Sequence, residues 1–231
     1  MHLGVVRFPG SNCDDVAYAA RSCGIGVECV WHDETDLARF DGIIVPGGFS
    51  YGDYIRYGAV ARLSPIMAEV ARFAERGGPV MGIGNGFQIL AESHLLPGAL
   101  LRNEGLKFVC RTETLRVEQS VCRWFDLPAG EVVEIPVSHG GGHYYCDEQT
   151  LSRLQDSGQI VLRYSERDGS RLPAGCAPDG SLDDIAGICN ERGNVFGLMP
   201  HPERAVDPLT GGTDGRAFFT AAVKHLAGTG G

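Results

Sequence analysis

"VMGIGNGFQIL", residues 80–90, reads as a buried strand, a tight glycine turn and the opening of a helix. Val80, Met81 and Ile83 supply the apolar run, and Phe87, Ile89 and Leu90 begin a helical pattern after the turn. A strand–turn–helix elbow thrusts one side chain out above a sheet, and many enzymes carry a nucleophile there. At the apex of this one, between Ile83 and Asn85, stands Gly84, which has no side chain to present.

Outward from the elbow the pattern is β-α-β-α-β. "HLGVVRF" (2–8), "GVECVW" (26–31) and "DGIIVPGG" (41–48) read as strands, and "CDDVAYAARSCG" (13–24) as a helix stopped by Gly24. "DETDLARF" (33–40) reads as a turn or short helix. The clearest helix is "LSPIMAEVARFAERGG" (63–78). Its apolar stripe is Ile66, Met67, Val70, Phe73 and Ala74, with Ser64 as N-cap and Pro65 at the first helical position. Apolar strands alternating with helices predict a doubly wound, mostly parallel α/β sheet flanked by helices, with a site at the carboxyl ends of its strands.

Beyond residue 105 the strands become partly alternating: "KFVCRTETLRVEQ" (107–119), "EVVEIPVSHG" (131–140) and "QIVLRYSE" (159–166). These predict an antiparallel extension of the same sheet. "TLSRLQDSG" (150–158) reads as a short helix, 185–199 as a hairpin turning at 191–194, and "DGRAFFTAAVKHLAG" (214–228) as a closing amphipathic helix. The stretch 168–181 is the one loose segment. Residues 1–231 are read as a single domain.

Of the 231 residues, 43% are hydrophobic and 21% charged, enough for a full core. The net charge of -9 excludes a general nucleic-acid surface, which needs clustered Lys and Arg. No apolar run approaches a membrane span, and the N-terminus lacks the pattern of a signal peptide, so a cytoplasmic location is expected. Eight cysteines with no CxxC pair predict free thiols rather than a zinc site or redox dithiol. A metal cluster of His139, His143 and Cys146 would want a fourth ligand, and none is expected.

Three segments carry chemistry: "PGGFSYGDYIRYGA" (46–59), "GIGNGFQIL" (82–90) and "MPHPERA" (199–205). Backbone N–H groups of Gly48, after the double glycine, and of Asn85, at a helix start, are candidates to stabilise an oxyanion. His201 is stiffened by flanking prolines, and in extended chain Glu203 would share its face and orient the ring. A full GxGxxG fingerprint and a GxxxxGK[ST] loop are both missing, which excludes nucleotide binding by those routes.

These segments, with "FPGSNCD", "WHDETDL", "LLPGALLRN", "YYCDE" and "DDIAGICNERGNVFGLMPHPERA", resemble the class I, triad-type glutamine amidotransferases, specifically the glutaminase subunits of phosphoribosylformylglycinamidine synthase in purine biosynthesis. The resemblance runs from about residue 1 to 225. It implies that a cysteine at the elbow attacks the glutamine amide, with His201 as general acid and base and Glu203 orienting it. Ammonia then passes to a synthetase subunit that uses ATP and magnesium; a small accessory subunit completes the complex, and this chain itself carries no cofactor. Ser50, Tyr51 and Gln88 are expected at the amino-acid end of glutamine, and His139 in the glycine-rich loop beside it.

Three positions depart from the family pattern. Its G-V-C-N-G-F-Q elbow reads "GIGNGFQ", so Gly84 stands where the nucleophile would. Its H-G-E-G reads "HGGG", with Gly141 for glutamate, and its R-C-G reads "RYG", with Tyr57 for cysteine. Neither Cys13 nor Cys146 sits on an elbow from which to substitute. Two readings follow: a glutaminase subunit impaired at its nucleophile, or a non-catalytic binding subunit of the same synthetase. An unrelated α/β hydrolase would need serine or cysteine at the elbow.

Overall fold

A computed structural model of the chain describes residues 1–124 and 127–220. Nine strands form one sheet: β1 His2–Arg7, β2 Gly26–Trp31, β3 Gly42–Val45, β4 Val80–Ile83, β6 Val109–Val117, β7 Val132–His139, β9 Ile160–Tyr164, β10 Ile185–Cys189 and β11 Val195–Leu198. Their spatial order is β2-β1-β3-β4-β11-β10-β9-β6-β7. Pairing is parallel from β2 to β11 and antiparallel from β11 to β7. This is the doubly wound sheet with its predicted extension. Strands β5 Ala99–Leu101 and β8 His143–Tyr145 pair separately as a small antiparallel sheet that the sequence reading did not anticipate.

The helices α1 Cys13–Ser22, α2 Pro65–Glu75, α3 Asn85–Glu92 and α4 Glu148–Asp156 cover both faces. On one face Val16, Ala19 and Ala20 of α1 pack with Leu3, Val5, Met81 and Ile83. On the other, Ile66, Val70 and Phe73 of α2, Phe87 and Leu90 of α3 and Leu154 of α4 pack with Val6, Ile43 and Val80. Val5 and Val6 enter opposite cores because successive side chains of a strand point to opposite faces. In β10 a register shift at Gly187 lets Ala186 and Cys189 enter one core and Ile185 and Ile188 the other.

Local signals hold with two refinements. Helix α4 starts earlier than its periodicity suggests because Asp147 caps it, accepting a hydrogen bond from Thr150 N at 2.7 Å. Ser64 stands at the N-cap of α2 but makes no capping bond; its hydroxyl pairs with the Tyr51 phenol at 2.9 Å instead. Residues 33–40 contain turns and no helix. Residues 216–220 are helical, 214–215 form a turn, and 221–228 of the predicted closing helix lie outside the described residues. The loose stretch 168–181 has no named element, yet it ends with Asp179 and Ser181 buried. Among the described residues no helix is long and apolar enough to cross a membrane, and Cys13, Cys23, Cys29, Cys110, Cys146, Cys176 and Cys189 are free thiols.

Candidate active site

Strand β4 lies between β3 and β11, so their carboxyl ends deliver the three chemistry-bearing segments to one place. Ile83 pairs with Leu198, and the Gly84 N–H donates to Leu198 O at 2.8 Å. His201 follows three residues after Leu198, its own N–H held by Pro136 O of β7 at 2.7 Å. The result is a cleft lined by Gly48, Gly84, Asn85, His139, Gly141 and His201, among others.

Gly84 has φ 53° and ψ -111°, a conformation that L side chains avoid. A Cβ there would stand 2.8 Å from Cε1 and 3.0 Å from Nε2 of His201. The elbow therefore aims at the imidazole. Gly84→Ala is expected to destabilise the chain by about 1–3 kcal/mol through backbone strain, with the His201 contact adding to it. Urea unfolding of the two proteins checks this; equal stability would contradict the elbow geometry.

His201 is 3% exposed and its Nδ1 lies 2.7 Å from Glu203 Oε1. Glu203 reaches the ring through a 3-10 turn over 202–204 rather than from an extended chain, a correction to the alternation argument. That bond leaves Nε2 as the nitrogen facing Gly84. The N–H groups of Gly48 and Asn85 donate no hydrogen bond within the described chain, as oxyanion donors require.

A polar network knits the cleft walls. Ser50 N donates to Asn85 Oδ1 at 3.0 Å; Asn85 Nδ2 donates to Asp53 Oδ1 at 3.0 Å and Gln88 Oε1 at 2.8 Å; Gln88 Nε2 donates to Gly141 O at 2.7 Å. Gln88 lines the cleft, but its amide is committed to this network. The Tyr51 side chain points elsewhere, packing on Phe8 and His32 and bonding Ser64, because left-handed backbone at Tyr51 and Gly52 turns the chain. Ser50 is buried with no partner for its hydroxyl, and it is not among the cleft-lining residues. Asp53 does line the cleft and was missed. Burial pushes its carboxyl up to about 6, against hydrogen bonds from the Asn85 side chain and the Gly58 backbone.

Behind the cleft, His139 Nδ1 meets Asn103 Oδ1 at 3.2 Å and Nε2 lies 3.6 Å from Asp179. Burial, and secondarily His201, pull His139 down to about 4; burial pushes Asp179 up to about 6, against bonds from Ser181 and Tyr164. Burial thus disfavours the charged form of both partners and works against an ion pair at this contact. A raised carboxyl pKa means the unfolded chain releases its proton first, and stability falls as pH rises from about 4 to about 6. Asp179→Asn should escape that decline, gaining up to about 3 kcal/mol on the native chain across the window. Urea unfolding at both ends of the window checks it, and a constant difference would contradict it.

Burial also pushes the Cys13 and Cys146 thiols up, and neither lines the cleft, so neither is an activated nucleophile. Among the described residues no group of three His, Cys, Asp or Glu is set to hold a metal ion.

Comparison with known proteins agrees with this fold. Residues 1–214 match the model of the CobB/CobQ-like glutamine amidotransferase domain. The chain belongs to that amidotransferase family. Among curated relatives, the phosphoribosylformylglycinamidine synthase subunit PurQ of Thermomicrobium roseum is 56% identical over 96% of this chain and 95% of its own. That of Thermus thermophilus is 52% identical over 98% of this chain and 100% of its own. Among solved structures, a chain of PurLQS from Thermotoga maritima superposes with a TM-score of 0.85 at 44% identity, over 97% of this chain and 98% of that one. The sheet is that of a class I amidotransferase domain. Within it the elbow, the Gly48 and Asn85 N–H groups and the His201–Glu203 pair are assembled around a glycine.

Proposed function

We propose that this chain is the amidotransferase-type subunit of a phosphoribosylformylglycinamidine synthase, with the glutamine-hydrolysing step silenced at Gly84. Near-complete coverage by relatives named as PurQ supports the subunit assignment. The observation that carries the silencing is a side-chain-free residue at the elbow apex, facing a buried His201–Glu203 pair. Amide attack through a covalent thioester needs a sulfur at that apex. Glycine offers no atom for His201 to deprotonate, so acyl transfer to the protein cannot begin there. Water activated by His201 Nε2 is the residual route, with no tethered nucleophile to supply proximity.

Without glutamine hydrolysis the remaining role is structural, as a subunit docked on an ATP-dependent synthetase that draws on free ammonia in purine biosynthesis. Phe49, 54% exposed, lines the cleft mouth, and Phe108, 53% exposed, packs beside Gly140 of the cleft wall. Apolar side chains around an opening suit a protein partner. The test is to mix the chain with the synthetase subunit, and the small accessory subunit where one exists, and follow assembly by light scattering. A stoichiometric complex that forms product with ammonia and ATP is expected. Absence of any complex would overturn the assignment.

A further inference from the structure

We infer that Tyr57 and Gly141 form a steric gate that closes the cleft to glutamine. The inference rests on the proposed reading of this cleft as the glutamine site of an amidotransferase subunit. It concerns two residues that the nucleophile argument leaves unused.

The space itself is the first observation. The cleft encloses about 20 Å³, whereas one water needs about 10–15 Å³ and small-molecule pockets run to about 300–1,000 Å³. It has room for a water and none for an amino acid.

The second observation is what fills it. A Cβ on Gly141 would stand 2.5 Å from Cζ and 2.6 Å from Cδ2 of Tyr57, and nearer still to Cε2. The phenol ring thus lies flat against the Gly141 backbone, in the volume that any side chain at 141 would enter. Each residue makes sense of the other: the ring fits only because position 141 is glycine.

The third is that the chain on either side of Tyr57 is tied down. On one side Arg56 makes a bidentate pair with Glu92 of α3, at 2.6 and 2.7 Å. On the other, Gly58 presses on the α3 backbone, so close that a Cβ there would lie 2.9 Å from Ile89 N. Opposite, Gly141 is tied to the same helix through its carbonyl and Gln88. Both halves of the gate are therefore held by α3.

A second cavity of about 150 Å³ lies on the far side, lined by Arg56, Tyr57, Gln88, Glu92 and neighbours. Tyr57 and Gln88 line both spaces and form the partition between them. Removing the ring joins the cavities while leaving the Gln88 network in place.

The experiment is calorimetric titration of the full chain with millimolar glutamine, for the native protein and for Tyr57→Ala, Tyr57→Ser and Tyr57→Phe. Thermal melts confirm folding, and Tyr57→Ser repeats the opening should Tyr57→Ala fail to fold. The native chain and Tyr57→Phe, which keeps the ring, are expected to give no binding. The two opened variants are expected to bind, at least tenfold more tightly than the detection limit set by the native chain. Binding by the native chain, or no binding by the folded opened variants, overturns the gate. Assembly with the synthetase subunit is measured on the same proteins. Intact assembly with a failed gate would leave the proposed function standing, whereas loss of assembly by the native chain would strike that function itself.

Discussion

Supplied with glutamine, this chain is expected to release ammonia on the order of 10⁶-fold more slowly than a site with its nucleophile in place, by analogy with triad hydrolases stripped of theirs. The cause lies at one carbon. Gly84 holds the elbow backbone at φ 53° and ψ -111°, and His201 and Glu203 stand in register at 2.7 Å, yet no sulfur or oxygen stands between the imidazole and a substrate amide. Gly84→Cys alone should also stay silent, because the Tyr57 ring still excludes glutamine. Gly84→Cys combined with Tyr57→Cys and Gly141→Glu, restoring the pattern of the resembled family at all three positions, should release ammonia. A coupled ammonia assay reads all three proteins. Activity from Gly84→Cys alone would show that the gate does not close the cleft.

Gly86→Ala is expected to have the largest effect on stability. Gly86 lies in the first turn of α3, and a Cβ on it would fall inside the Val45 carbonyl oxygen at the end of β3. That close approach is how the elbow brings the helix N-terminus, with the free Asn85 N–H, over the sheet. A methyl group there must lift α3 off its strand, since the obstacle is backbone and cannot rotate away. The cost should exceed the about 1–3 kcal/mol of ordinary overpacking, far above the helix propensity gained from alanine, about 1 kcal/mol. At about 2–4 °C per kcal/mol for a chain of this size, a melting-temperature loss of about 10 °C or more follows. Gly105→Ala is the control, because its Cβ meets nothing within 4 Å. Equal melting temperatures for the two variants would contradict the packing of the elbow.

Much of this was legible in residue order because the signals are local. Strand periodicity, the proline and glycine punctuation and the double glycine at 47–48 mark the ends of β3 and β4, and parallel pairing then forces those ends together. His201 and Glu203 were legible because they are two residues apart, although a turn rather than an extended chain joins them. What stayed hidden depends on contacts across sequence. Tyr57 and Gly141 are separate departures on the page and one packed unit in space. Asp53 enters the cleft, while Tyr51 leaves it for Ser64, through a run of left-handed backbone at Tyr51, Gly52 and Asp53 that periodicity does not register. The strands β5 and β8 escaped notice because three residues give no alternation to read.

The most direct measurement is ammonia release from glutamine by the chain assembled with its synthetase subunit, where any partner-induced reshaping of the cleft is already in place. With Gly84 at the apex, release should stay on the order of 10⁶-fold below that of a site with its nucleophile in place, while added ammonia supports synthesis. Release at an ordinary enzymatic turnover of about 1 s⁻¹ or faster would contradict a silenced elbow, and would mean that a nucleophile other than residue 84 reaches the amide.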